Sequence, residues 1–257
     1  MCRWAAYVGA PIFLSEVVTA PKQSLIAQSL RAHEAVTEVN ADGFGMAWYD
    51  AQPEPGLYRD VMPAWSDDNL KSLARQVQSR LFLAHVRAST ETATSRNNCH
   101  PFAVGRWSFM HNGQIGGFGR FRRSADMIIP EELYDNRKGA TDSEALFLMA
   151  LSEGLETEPQ AAMERATGML ERMSRSAGAT PHVRMTAALS DGERIYAVRY
   201  ASDDAPPSLY HHERAGGRLV VSEPLDKSSG DWQAIPPSSW VEISTDGVEI
   251  RPFRPEI

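Results

Sequence analysis

Residues 2–8 read Cys2-Arg3-Trp4-Ala5-Ala6-Tyr7-Val8, a cysteine followed by a continuous apolar run that predicts an opening β-strand over Arg3–Val8. Similar runs, rich in β-branched and aromatic residues, predict strands at Phe44–Tyr49, Arg80–Val86 and Trp107–His111, so four strands precede residue 112. Further strands are expected at Val183–Leu189, Arg194–Tyr200, Arg218–Ser222 and Trp240–Ile243. The pairs Asp191-Gly192 and Gly216-Gly217 punctuate them as turn signals. Helical spacing is clearest at Asp67–Gln78, at Asp142–Ser152 and at Pro159–Ser174, where Ala162, Ala166, Met169, Leu170 and Met173 share one face. Strands in runs with helices grouped between them predict an α+β fold in layers, built on antiparallel sheets. The Pro-rich loops Gln52–Gly56 and Ser202–Pro207 interrupt the pattern without a shift of composition that would divide the chain.

At 257 residues, 42% of them hydrophobic, the chain can bury a substantial core as one large domain or two small ones. Its net charge of -7 argues against nucleic acid or a membrane surface as partner, because both select for excess Lys and Arg. No apolar run approaches the roughly 20 residues of a membrane span, and the start lacks the pattern of a secretory signal. A cytoplasmic location is expected. Two cysteines, Cys2 and Cys99, make neither a disulfide framework nor a thiolate zinc site, so no metal is expected.

Cys2 stands out by position. Methionine is trimmed before small second residues, which would leave Cys2 with a thiol and a free α-amine. The reference pKa of that amine, about 7.7–8.0, lies close to the thiol's, about 8.5, so one residue could serve as nucleophile and base. The competing reading is a small apolar residue at the start of a buried strand. In Leu83-Ala84-His85-Val86-Arg87-Ala88-Ser89-Thr90 a strand ends on an arginine and opens into a polar loop. Such a guanidinium suits bidentate capture of a carboxylate, or an ordinary ion pair. In Phe109-Met110-His111-Asn112-Gly113 a strand runs into an Asn-Gly pair. That pair is either a tight turn or an oxyanion hole made by the Asn112 amide and the Gly113 N–H. The glycines that follow do not fit a dinucleotide fingerprint, so no nucleotide cofactor is expected. Thr141-Asp142-Ser143-Glu144 opens a helix with a capping-box pattern, and Asp142 there serves either the helix dipole or a substrate ammonium.

Taken together and in order, Cys2, the Ala-His-x-Arg segment, Asn98-Cys99-His100-Pro101-Phe102, His111-Asn112-Gly113 and Thr141-Asp142-Ser143-Glu144 resemble the class II glutamine amidotransferases of the N-terminal nucleophile hydrolase superfamily. Asn40-Ala41-Asp42-Gly43-Phe44-Gly45 adds the glycine-rich signature of the same domain. The stretch Val221-Ser222-Glu223-Pro224-Leu225 and residues Trp232 to Pro237 extend the likeness to a stand-alone branch that hydrolyses γ-glutamyl compounds.

The resemblance implies a four-layer αββα sandwich, with residues 2–257 as a single domain once Met1 is removed. It assigns Cys2 as nucleophile and base, Asn112 and Gly113 as oxyanion hole, Arg87 as the grip on the substrate α-carboxylate and Asp142 on its α-ammonium, with Thr90 as a further substrate contact. The implied reaction is hydrolysis of the γ-amide of glutamine or a γ-glutamyl compound through a thioester, without cofactor. Many members of the family carry Trp after the strand arginine. Ala88 here removes a bulky wall, which favours a leaving group larger than ammonia. Two alternatives stay open: a glutaminase subunit feeding ammonia to a separate synthase chain, and a catalytically idle ligand binder.

Overall fold

The computed structural model describes residues 2–34, 39–89, 92–226 and 231–256. In chain order its strands are β1 (Arg3–Phe13), β2 (Phe44–Tyr49), β3 (Gly56–Asp60), β4 (Gln78–Val86), β5 (Phe102–Val104), β6 (Trp107–Ile115), β7 (Val183–Ser190), β8 (Ile195–Ala201), β9 (Tyr210–Arg214), β10 (Gly217–Val221), β11 (Gln233–Ala234), β12 (Ser239–Ile243) and β13 (Val248–Pro252). The helices are α1 (Ser15–Val18), α2 (Leu25–Leu30), α3 (Asp68–Gln76), α4 (Phe118–Asp126), α5 (Glu131–Tyr134), α6 (Asp142–Ser152) and α7 (Pro159–Ser176).

Two antiparallel sheets form, in the orders β11-β9-β10-β1-β4-β2-β3 and β13-β12-β8-β7-β6-β5. The period-2 alternation of β1 shows how they stack. Trp4, Ala6 and Val8 face a core shared with Met110 of β6, Ala188 of β7 and Ala197 of β8 in the other sheet. Ala5 and Tyr7 face the opposite way, into a core closed by Leu14, Val17, Leu25 and Leu70 from the α1–α3 side. On the far face of the second sheet, Phe109, Met185 and Val198 pack against Phe147 of α6 and Leu170 of α7. Helix, sheet, sheet, helix: this is the αββα sandwich expected from the sequence.

Helix α6 takes the bounds read from its spacing. Every residue from Ser143 to Ala150 is buried, as expected of a helix apolar on all sides and covered on all sides. The predicted helix at Asp67–Gln78 ends two residues early. Val77 turns extended, and Gln78 already pairs with Phe13 of β1. Helix α4 follows the Gly116-Gly117 pair, a stretch that carried no helical signal. Among the described residues no helix is long and apolar enough to cross a membrane.

Candidate active site

The site lies where the strands of both sheets end near the inter-sheet layer. Cys2 immediately precedes β1, and by the alternation just described it belongs to the inner face, with Trp4. It lines a narrow cleft of about 70 Å³ shared with Arg87, Ser89, Thr92, His100, His111, Gly113, Gln114, Phe118 and Asp142. The Cys2 Sγ lies 3.6 Å from the Ala88 carbonyl and 3.5 Å from the Ala88 N–H. Burial pushes its thiol pKa up, while the Ala88 backbone and the nearby Arg87 and Arg3 guanidiniums pull it down.

Arg87 continues β4 into this cleft and is 3% exposed. Its Nη1 donates to the Asp42 carbonyl at 3.2 Å, and its Nη2 donates to Ser89 Oγ at 3.0 Å and Thr92 Oγ1 at 2.6 Å. The Asp42-Gly43 segment closes around it, since Asp42 N–H donates to Arg87 O and Arg87 N–H to Gly43 O. A side chain at Gly43 would put Cβ 2.5 Å from Cys99 Sγ, so the glycine-rich signature is what lets residues 98–100 pack so close. Arg87 has no acidic partner among the described residues. The buried guanidinium is thus held by neutral oxygens that fix its plane and leave its charge uncompensated.

Asp142 enters from the other sheet's side, at the start of α6. Its Oδ2 accepts from Ile115 N–H at 2.8 Å, and its Oδ1 accepts from Ser143 N–H at 2.8 Å and Ser143 Oγ at 3.2 Å. Both readings of this residue coexist: it sits in the first turn where the helix dipole favours it, and no described cation pairs with it. Since a carboxylate has about four lone-pair sites, three neutral donors leave room for an ammonium. The capping box forms by half. Thr141 Oγ1 accepts from Glu144 N–H at 3.1 Å, but the Glu144 carboxylate does not reach back to Thr141. It takes Arg137 Nη1 at 2.8 Å and Gly139 N–H at 2.7 Å instead, because a buried carboxylate gains more from a guanidinium than from one more amide.

Asn112 and Gly113 are not a turn. They lie inside β6, opposite Thr186 and Met185 of β7. Gly113 has φ 150°, which L side chains rarely adopt, and a Cβ there would lie 1.9 Å from the Arg184 carbonyl. Asn112 is fully buried, and neither its Oδ1 nor its Nδ2 has a protein partner. Gly113 lines the cleft. Thr90 lies outside the described residues.

Three histidines that sequence reasoning left without a role collect here. The His85 and His100 rings pack with centroids 4.4 Å apart, tilted by 34°. His85 Nε2 lies 3.2 Å from the His111 carbonyl, and His111 Nδ1 lies 2.8 Å from Ser143 Oγ. Burial lowers all three pKa values, that of His85 to about 3, so the rings are neutral. Their only signal in the sequence was a place inside the quoted motifs. Cys99 is buried, with its Sγ 3.4 Å from the carbonyls of Asp60 and Ser95. Asn98 bridges outward from it, its Oδ1 accepting from Ala140 N–H at 2.8 Å just ahead of α6.

The family described as Glutamine amidotransferases class-II matches residues 13–206. The chain belongs to that family. A probable glutamine amidotransferase of Saccharomyces cerevisiae, DUG3, is 32% identical over 301 residues, covering 98% of this chain and 84% of its own. The gamma-glutamyl-hercynylcysteine sulfoxide hydrolase of Mycolicibacterium smegmatis is 28% identical, over 98% of this chain and 100% of its own. A solved structure titled as a glutamine aminotransferase class-II domain protein from Silicibacter pomeroyi superposes with a TM-score of 0.81 at 49% identity, covering 100% of both chains. The class II fold and this chain's αββα sandwich are therefore the same architecture.

Proposed function

We propose that the chain hydrolyses the γ-amide of glutamine or of a γ-glutamyl compound, with Cys2 as nucleophile after removal of Met1. The observation that carries this reading is the pairing of opposites in one cleft. Arg87 lacks an acid among the described residues and Asp142 lacks a cation, and both line the space beside the Cys2 thiol. Two uncompensated charges of opposite sign suit a zwitterionic amino-acid head, and without one each is costly. The γ-glutamyl activity of the Mycolicibacterium relative points the same way.

In this reading the Cys2 α-amine takes the thiol proton and Sγ attacks the γ-carbonyl. The oxyanion rests on Asn112 Nδ2 and the Gly113 N–H, and the protonated amine passes its proton to the departing ammonia or amine. Water then opens the γ-glutamyl thioester and glutamate leaves. Thr90 is proposed as a further substrate contact. Residues 2–257 act as one domain, and two free cysteines suit the reducing cytoplasm, where we place the reaction.

The test is glutamate release from glutamine and from γ-glutamyl amides by the wild-type chain and Cys2→Ala. Release that vanishes in Cys2→Ala is expected. Release that survives the substitution, or its absence from a chain shown by intact mass to lack Met1, overturns the assignment.

A further inference from the structure

The alternation that turns Cys2 toward the cleft turns its neighbour Arg3 the other way, toward α2. There Arg3 is fully buried and its Nε stands 3.6 Å from Glu223 Oε2, itself only 3% exposed. Two such charges deep in a protein need a reason, because burying an ion pair is seldom a net gain in stability. The surroundings show how rigidly the acid is held. Glu223 follows β10, whose ladder with β1 is prolonged by Ser222: its N–H donates to Trp4 O at 3.0 Å, and its Oγ accepts from Trp4 N–H at 2.9 Å. Arg3 Nη1 donates to Ser222 O at 3.3 Å. Gln28 Nε2 donates to the carbonyls of Glu223 and Pro224 at 3.1 and 3.2 Å. The Glu223 carboxylate also accepts from the backbone N–H groups of His33 and Glu34, at 3.0 Å each.

We propose that Glu223 is a positioning residue for the nucleophile: it clamps Arg3 from behind and so fixes the end of β1 that presents Cys2 to the cleft. The Ser-Glu-Pro run of the sequence gains its role here, with no contact between Glu223 and substrate. The proposal rests on Cys2 being the nucleophile. Its consequence is selective, because Arg87 and Asp142 stand on other elements and keep their own hydrogen bonds when the clamp is loosened.

The experiment is steady-state glutamate release by wild type, Glu223→Gln and the double variant Arg3→Met/Glu223→Met, together with Cys2→Ala. In the double variant an apolar pair replaces the buried ions, so it tests the proposal in a folded chain should Glu223→Gln alone fail to fold. The expected result is a fall in kcat of at least about tenfold in Glu223→Gln and in the folded double variant, with KM changed by less than about twofold, and partial recovery of kcat in Glu223→Asp. A folded Glu223→Gln or double variant with wild-type kcat overturns the proposal, and so does a rise in KM at unchanged kcat. Wild-type release that does not depend on Cys2 is a different failure, of the reading on which the proposal rests.

Discussion

At the scale of single residues, the cleft is defined by what its charges lack. Arg87 spends three of its five N–H donors on neutral oxygens, which leaves two N–H groups and an uncompensated charge for a carboxylate. Arg87→Lys keeps the charge and loses the planar guanidinium that Asp42, Ser89 and Thr92 hold in place. It should raise KM for glutamine by about tenfold or more while kcat stays within a few-fold, measured as glutamate release; unchanged KM would remove the carboxylate grip from Arg87. Much of this was legible beforehand. Cys2, Arg87, Gly113 and Asp142, read from separate motifs, do line one cleft, and Asn112 stands in β6 beside Gly113. The histidines were not legible, since nothing in the one-dimensional pattern distinguishes a ring packed 4.4 Å from another from an ordinary core histidine. Arg3 and Glu223 escaped for a related reason: their partnership depends on which face of β1 Arg3 takes and spans 220 positions.

At the scale of elements, strands and helices were legible where periodicity was strong and blurred where tertiary pairing overrode it. β2 and α6 have the bounds read from sequence. The Asn-Gly pair, an ordinary turn signal, was carried inside β6 because β7 pairs with it through Ile115, and a glycine alone tolerates the φ required there. Short strands such as β5 and β11 are set by neighbours and carry too few residues for a pattern. Helix α6 matters functionally because its first turn carries Asp142. Its N-cap is Thr141, whose hydroxyl accepts from Glu144 N–H. Thr141→Ala should cost about 1 kcal/mol in a urea titration, with the Glu144–Arg137 pair preserving the rest of the start. A loss near zero would show that this pair, not the cap, holds the helix start.

At the scale of the whole molecule, the sandwich places two sheets back to back and collects at the ends of their strands the groups that neither sheet could hold alone. That arrangement buries three histidines in one place, and its cost shows in pH dependence. The folded pKa values of His85, His100 and His111 are all depressed by burial. Below about pH 6.5, where an unfolded histidine titrates, the unfolded chain binds protons that the folded chain refuses, so stability is full above pH 6.5 and falls as pH falls. For His85 the interval from 6.5 to about 3 corresponds to about 5 kcal/mol. Denaturation midpoints measured from pH 7.5 to 4.5 should decline, and less steeply in His85→Gln; a flat profile in the wild type would mean the rings are not buried neutral.

The central claim is that Cys2, with its α-amine free, carries the acyl group. Peptide mass mapping of the chain, acid-quenched during turnover of a γ-glutamyl amide, tests it most directly. The expected result is a γ-glutamyl thioester on Cys2 as the first residue of the chain. Turnover by a chain that retains Met1, or an acyl group on any other residue, would contradict it.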